Sequence, residues 1–152
     1  MRERALNMQA TAPEGYKAVL GLEKYARANV ERTLYHLVKT RASVINGCAF
    51  CVDMHTQDAL AEGEDVRRLF GVTAWREVPH FFNARERAAL ALTDAVTRIS
   101  EGGVPDDVWA EVHAVFDERE AADLLLAIST INVWNRLAIS THMRPPNPPK
   151  AA

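Results

Sequence analysis

Cysteine is scarce in this chain: two occur among 152 residues, three apart, as Cys48-Ala49-Phe50-Cys51. That excludes the framework of a disulfide-stapled secreted domain, whose cysteines are several and dispersed. No segment approaches the roughly 18 unbroken apolar residues that cross a bilayer. The opening MRERALNMQA has no apolar core of signal-peptide length either. Neither sign of charge prevails: 18 Lys and Arg against 20 Asp and Glu leave a net charge of −2 and a pI near 6.2. Such a surface has no field to hold nucleic acid or an anionic membrane. A cytoplasmic protein with no nucleic-acid or membrane partner is expected.

Strand-like alternation and internal repeats are also lacking. What is present is 48% hydrophobic residues, enough for one domain with a real core, spaced almost throughout at helical periods. Pro13 suits a first helical turn, and Tyr16, Val19, Leu20 and Leu22 form a rough stripe ending near Ala28 and Asn29. Leu34, Leu37, Val38, Arg41 and Ile45 share one side of a helix that Asn46-Gly47 should end. A helix from about Cys48 to Ala61 follows, then a poorly defined stretch through Trp75. Asn83 with Glu86 is a capping box opening a helix with Ala89, Leu92, Val96 and Ile99 inward and Gly102-Gly103 as its stop. A short helix after Pro105 buries Val108, Val112 and Phe116. Asp117 with Glu120 opens a long last helix carrying Leu124, Leu125, Ile128 and Ile131. Short connections favour antiparallel neighbours, so the expectation is an all-α, single-domain antiparallel helical bundle over 13–143. Residues 1–12 read as an N-terminal arm and 144–152 as a Pro-rich tail.

Residues three and four apart share a helix face, so Cys48, Cys51 and His55 line up on one side. A free thiol is only about 3% ionised at neutral pH, but a helix N-terminus and a basic neighbour can lower its pKa by several units. His55, one turn beyond Cys51, is placed to take its proton and hold the thiolate as an ion pair. A thiolate that attacks a hydroperoxide becomes a sulfenic acid, and a second thiol nearby condenses with it before further oxidation. Cys51, nearer to His55, is the expected attacking sulfur, and Cys48 the resolving one, with an external dithiol reducing the disulfide. Two other readings stay open on the residues alone. The histidine can be an ordinary packed side chain. Zinc can be held by Cys48, Cys51 and His55 with His36 as a fourth ligand, although structural zinc sites usually pair ligands from two loops.

The stretch Leu37-Val-Lys-Thr-Arg-Ala-Ser-Val-Ile-Asn-Gly-Cys-Ala-Phe-Cys-Val-Asp-Met-His55 closely resembles the core motif of the AhpD-like alkyl hydroperoxidases, within the carboxymuconolactone decarboxylase superfamily. Ile131-Asn-Val-Trp-Asn-Arg136 is similar to the same group. The resemblance implies an all-helical protomer that assembles into homotrimers or homohexamers. It also implies a thiol-dependent peroxidase that reduces organic or hydrogen peroxides with no metal or organic cofactor and is recycled by an external dithiol or lipoyl-type reductant. The catalytic cysteines and histidine map onto Cys48, Cys51 and His55. Many members carry a proton-relay glutamate twelve residues before the first cysteine, where this chain has His36, which either replaces it as a base or has no role. Phe50 stands where some members have a histidine. A disulfide-exchange or redox-sensing protein is the alternative; a decarboxylase-type enzyme or a zinc-holding scaffold ranks lower. Asp58 is placed as a solvated carboxylate, Asn132 and Asn135 as structural amides, and Trp134 as core or interface.

Overall fold

A computed structural model describes residues 4–148. Among them there are helices and no strands: α1 (Met8–Thr11), α2 (Pro13–Asn29), α3 (Arg32–Asn46), α4 (Ala49–Ala61), α5 (Val66–Gly71), α6 (Ala84–Thr97), α7 (Asp106–His113) and α8 (Glu118–Ser140). No described helix is long and apolar enough to cross a membrane. Residues 144–148 are non-helical, and the ends of the arm and tail lie outside the described residues.

The bundle is organised around α3, which packs on α4, α6 and α8 while α2 lies along α8. Every residue from Leu34 to Ser43 is buried. Its start is fixed by Glu31, whose carboxylate accepts the Thr33 and Leu34 amides. Its end is fixed by Gly47, which turns left-handed at φ 68° as the Cys48 amide bonds back to the Ser43 carbonyl at 2.9 Å. That turn sets the direction in which α4, and with it the cysteine pair, leaves the central helix.

Both capping boxes form as expected, at Asn83 with Glu86 and at Asp117 with Glu120. Leu92, Val112, Phe116, Leu124, Ile128 and Ile131 are buried, and Val108 and Val96 pack at the core's edge. Three expectations need correction. Leu20 and Leu22 are exposed, because α2 turns Tyr16, Val19, Glu23 and Ala26 inward instead. Ile99 is exposed because α6 ends at Thr97, before a 3₁₀ turn at Ile99–Glu101. The stretch through Trp75 is ordered. Asp65 caps α5 through the Arg67 and Arg68 amides, and Val72, Trp75 and Phe82 pack on Leu37 and Leu90.

Candidate active site

Cys48 is the N-cap residue of α4, and its sulfur accepts the Cys51 amide at 3.4 Å. Cys51 follows inside the first turn, which brings the two free thiols into contact with their sulfurs 2.6 Å apart. Both are almost fully enclosed, at 2% and 1% exposure. The thiols are inequivalent. The hydrogen bond from Cys51 outweighs burial at Cys48, and with the Cys51 and Phe50 backbone amides and the Asn135 side chain it pulls Cys48 down to about 7. Cys51, next to that forming thiolate and buried, is pushed well above the ordinary thiol range. As the pair ionises, the hydrogen bond between the sulfurs favours the charge on Cys48 and the proton on Cys51.

Cys51 and His55 line a cleft of about 270 Å³ whose walls are mostly apolar, with Tyr16, Phe50, Met54 and Trp134 among them. Cys48 does not line it. The N-terminal arm reaches this cleft through Arg4 and Met8, and the Ala5 amide bonds to the Thr141 carbonyl at 3.0 Å.

His55 is 4% exposed, and neither ring nitrogen has a hydrogen-bond partner. Burial, reinforced by the positive charge of Lys39, pulls its pKa down to about 3. The imidazole is neutral at neutral pH, unlike the imidazolium expected beside a thiolate, because charging so buried a ring is costly. An acid-stability prediction follows. Between pH about 6.5 and about 3 the unfolded chain binds a proton at this histidine that the folded chain does not. Stability should accordingly fall as pH drops through that window, by up to about 1.4 kcal/mol per pH unit from this group. Above pH about 6.5 its contribution is constant. Urea midpoints from pH 7 down to 4.5 check this: His55→Phe should lose that part of the slope, and parallel slopes would mean an imidazole of ordinary basicity.

Sequence reasoning missed the charged pair beside the thiols. Glu23 comes in from α2, lines the cleft, and accepts both carboxylate contacts from the fully buried Lys39 ammonium at 2.7 and 2.6 Å. Trp134 donates its indole N–H to the same carboxylate at 2.8 Å, and the Tyr35 hydroxyl donates to it as well. Lys39 holds Glu23 below its usual range against the opposing effect of burial, which is the largest single influence. Burial and the Glu23 carboxylate push the Tyr35 phenol up, keeping it protonated.

His36 sits elsewhere. Its Nε2 pairs with Glu62 at 2.8 Å, in a polar recess where Arg27 and Arg32 reach the same carboxylate. It does not line the thiol cleft, which corrects its expected place among the catalytic groups. A carboxylate is supplied to the cleft from α2 instead. Among the described residues no three His, Cys, Asp or Glu side chains are placed to hold a metal ion, and His36 is committed to Glu62, so the four-ligand zinc arrangement is not assembled.

Asn135 proves more than a core amide. Its Nδ2 donates to Ser43 Oγ at 3.0 Å, its Oδ1 accepts from Asn46 at 2.9 Å, and it adds to the larger effect of the Cys51 hydrogen bond in lowering Cys48. Asn46 also donates to Asn132, which bonds Thr97 in turn. Together they fix the end of α3 to α8 around the sulfurs. Asp58 lines the cleft as well.

An all-helical bundle with a buried Cys-x-x-Cys pair, one sulfur of which lines an apolar cleft, defines a dithiol protein of the AhpD-like kind. The chain belongs to the carboxymuconolactone decarboxylase family, whose model matches residues 11–95. It is 43% identical to "Uncharacterized protein YdfG" of Bacillus subtilis (strain 168) over 130 residues, 85% of this chain and 88% of that one. A crystal structure of a protein of unknown function from Agrobacterium tumefaciens, described as a candidate antioxidant defence protein AhpD, superposes with a TM-score of 0.92. It shares 39% identity over 96% of this chain and 100% of its own. The debrominase Bmp8 shares the fold at a TM-score of 0.80 and 20% identity, over 91% of this chain and 74% of its own.

Proposed function

We propose that this chain is a thiol-dependent peroxidase that reduces organic or hydrogen peroxides through a Cys48–Cys51 dithiol/disulfide cycle. The observation that carries the reading is a pair of sulfurs in contact, one lining an apolar cleft and the other behind it. A peroxide enters over Cys51. As the Cys51 sulfur attacks one peroxide oxygen, the O–O bond breaks, the Cys51 proton passes to the Cys48 thiolate, and the departing oxygen leaves as alcohol or water after taking up a proton. Cys51 is then a sulfenic acid. Cys48 attacks it, expelling water and closing the disulfide. Two thiols of an external dithiol or lipoyl-type reductant restore the pair by exchange. His55, neutral and with both nitrogens free, offers the peroxide either a donor or an acceptor in a low-dielectric site.

Burial supports peroxide over a protein disulfide as the first partner. With 1–2% of either cysteine exposed, a small molecule in the cleft reaches Cys51, whereas a folded partner cannot. The family and the Agrobacterium neighbour point the same way. We also infer a homo-oligomer, trimer or hexamer, in which exposed apolar side chains such as Leu20, Leu22 and Phe70 would find cover, and a cytoplasmic location that keeps the dithiol reduced.

Stopped-flow mixing of the reduced chain with hydrogen peroxide and with a bulky alkyl hydroperoxide, reading thiol loss, tests the proposal. Loss of two thiols per chain in a single phase that a dithiol reverses is the expected result. Thiols that persist in both peroxides while exchanging rapidly with a lipoyl disulfide would establish the exchange protein instead.

A further inference from the structure

Cys51 lines the cleft, yet its hydrogen bond to Cys48 favours the charge of the cysteine pair on Cys48. For Cys51 to attack, that charge must move across the 2.6 Å sulfur contact as the Cys51 proton moves the other way. Such a shift in a buried site is costly unless something on the Cys51 side favours the anion.

A positive charge is already built against the lining of the cleft. Lys39 is a lysine with 0% exposure on the central helix, and both of its named hydrogen bonds go to the two oxygens of Glu23. Its ammonium lies 4.9 Å over the Tyr35 ring, and Glu23 and Tyr35 both line the cleft with Cys51. Glu23 is itself held by the Trp134 indole and the Tyr35 hydroxyl. Burying the ammonium of an ion pair completely is seldom the most stable solution for a core, so its retention against the lining of the thiol cleft invites a reason.

We infer that Lys39, locked in place by Glu23, is a positioning residue for the reaction: its buried ammonium draws the negative charge of the cysteine pair from Cys48 onto Cys51, the sulfur that faces the cleft. The transfer is balanced. The Cys51 thiol and Cys48 thiolate become a Cys51 thiolate and a Cys48 thiol, with no oxidant or reductant involved. The Cys48 hydrogen bond and burial raise Cys51, and burial lowers Lys39; against those larger effects the two charges favour each other. The other charged or titratable groups around them are Glu23 and Arg27 from α2, Tyr35 and His36 from α3, and Cys48, His55 and Asp58 on the α4 side. α8 contributes the uncharged Asn135 and Trp134.

The inference rests on the dithiol reading above, but its test uses no peroxide, so either can fail without the other. In a Cys48→Ser background Cys51 is the only thiol, and its alkylation rate by iodoacetamide against pH reports its ionisation. Removing both charges with Glu23→Gln and Lys39→Met should raise the midpoint by about one pH unit or more, a tenfold or greater slowing at neutral pH. Lys39→Arg should restore the original midpoint. A folded double variant with an unmoved midpoint would overturn the inference. The wild-type chain gives a second measurement that needs no substitution. In isotope-labelled protein the Lys39 side-chain resonance should titrate at lower pH in the disulfide form than in the dithiol form. Equal titration in the two forms would overturn the inference equally, even if the double variant does not fold.

Discussion

Cys51→Ser is expected to abolish peroxide turnover, by at least about 10³-fold, while Cys48→Ser should retain a slowed attack that stops after one turnover. The asymmetry comes from the cleft. A serine hydroxyl is far too weak an acid to act as the nucleophile, and Cys48, which does not line the cleft, cannot take over. Without Cys48 the remaining thiol loses both the base that receives its proton and the partner that condenses with its sulfenic acid. Mass spectrometry after peroxide and dimedone should show a trapped sulfenic acid on Cys51 in Cys48→Ser and no adduct in Cys51→Ser. The reverse pattern would make the more acidic Cys48 the attacking sulfur and give Cys51 the resolving role.

The helices were legible because their ends carry local chemistry. Asn83 with Glu86, Asp117 with Glu120, and Asn46-Gly47 each declare a boundary that the folded chain obeys. The thiols were legible because a spacing of three survives folding unchanged. Glu23 and Lys39 were not. They lie sixteen residues apart on different helices, and a glutamate on an amphipathic stripe ordinarily marks the solvent side. In α2 the rule inverts: Leu20 and Leu22 face out and Glu23 faces in, because α3 presents a buried lysine to it. For the same reason periodicity could not reveal that α3 is buried on all sides. Its polar residues His36, Lys39, Thr40 and Ser43 lie off the apolar stripe, and their burial becomes evident only with their partners on other elements. His36 occupies the motif's glutamate position but meets Glu62, which lies twenty-six residues away.

Arg41 separates structural from chemical members of the same motif, and its removal should produce the largest loss of stability among these polar residues. Its Nε and Nη2 grip the Asp94 carboxylate at 2.6 and 3.3 Å, while Nη1 donates to the Val72 and Thr73 carbonyls at 3.1 and 2.7 Å. One guanidinium thus joins α3, α6 and the turn after α5, with both side chains only 10% exposed. Arg41→Met would leave Asp94 with the Trp75 indole and the largely solvated Arg76 as its named partners, and would leave the two carbonyls without that donor. Breaking one side of a buried pair costs about 3–5 kcal/mol, a large part of the roughly 5–15 kcal/mol that holds a domain together. Urea unfolding should show that drop. Lys should restore little of it, because a point ammonium cannot span the carboxylate and two carbonyls at once. Pairing Arg41→Met with Asp94→Asn should cost less than the sum of the single changes, since the uncompensated charge is gone. At temperatures where the variant remains folded, the Cys51 ionisation midpoint should not move, because Arg41 points to the turn after α5 while Lys39, two residues earlier on the same helix, points to Glu23. A shifted midpoint in the folded Arg41 variant would mean that the two sides of α3 are coupled, and that this arginine belongs to the chemistry as well as to the scaffold.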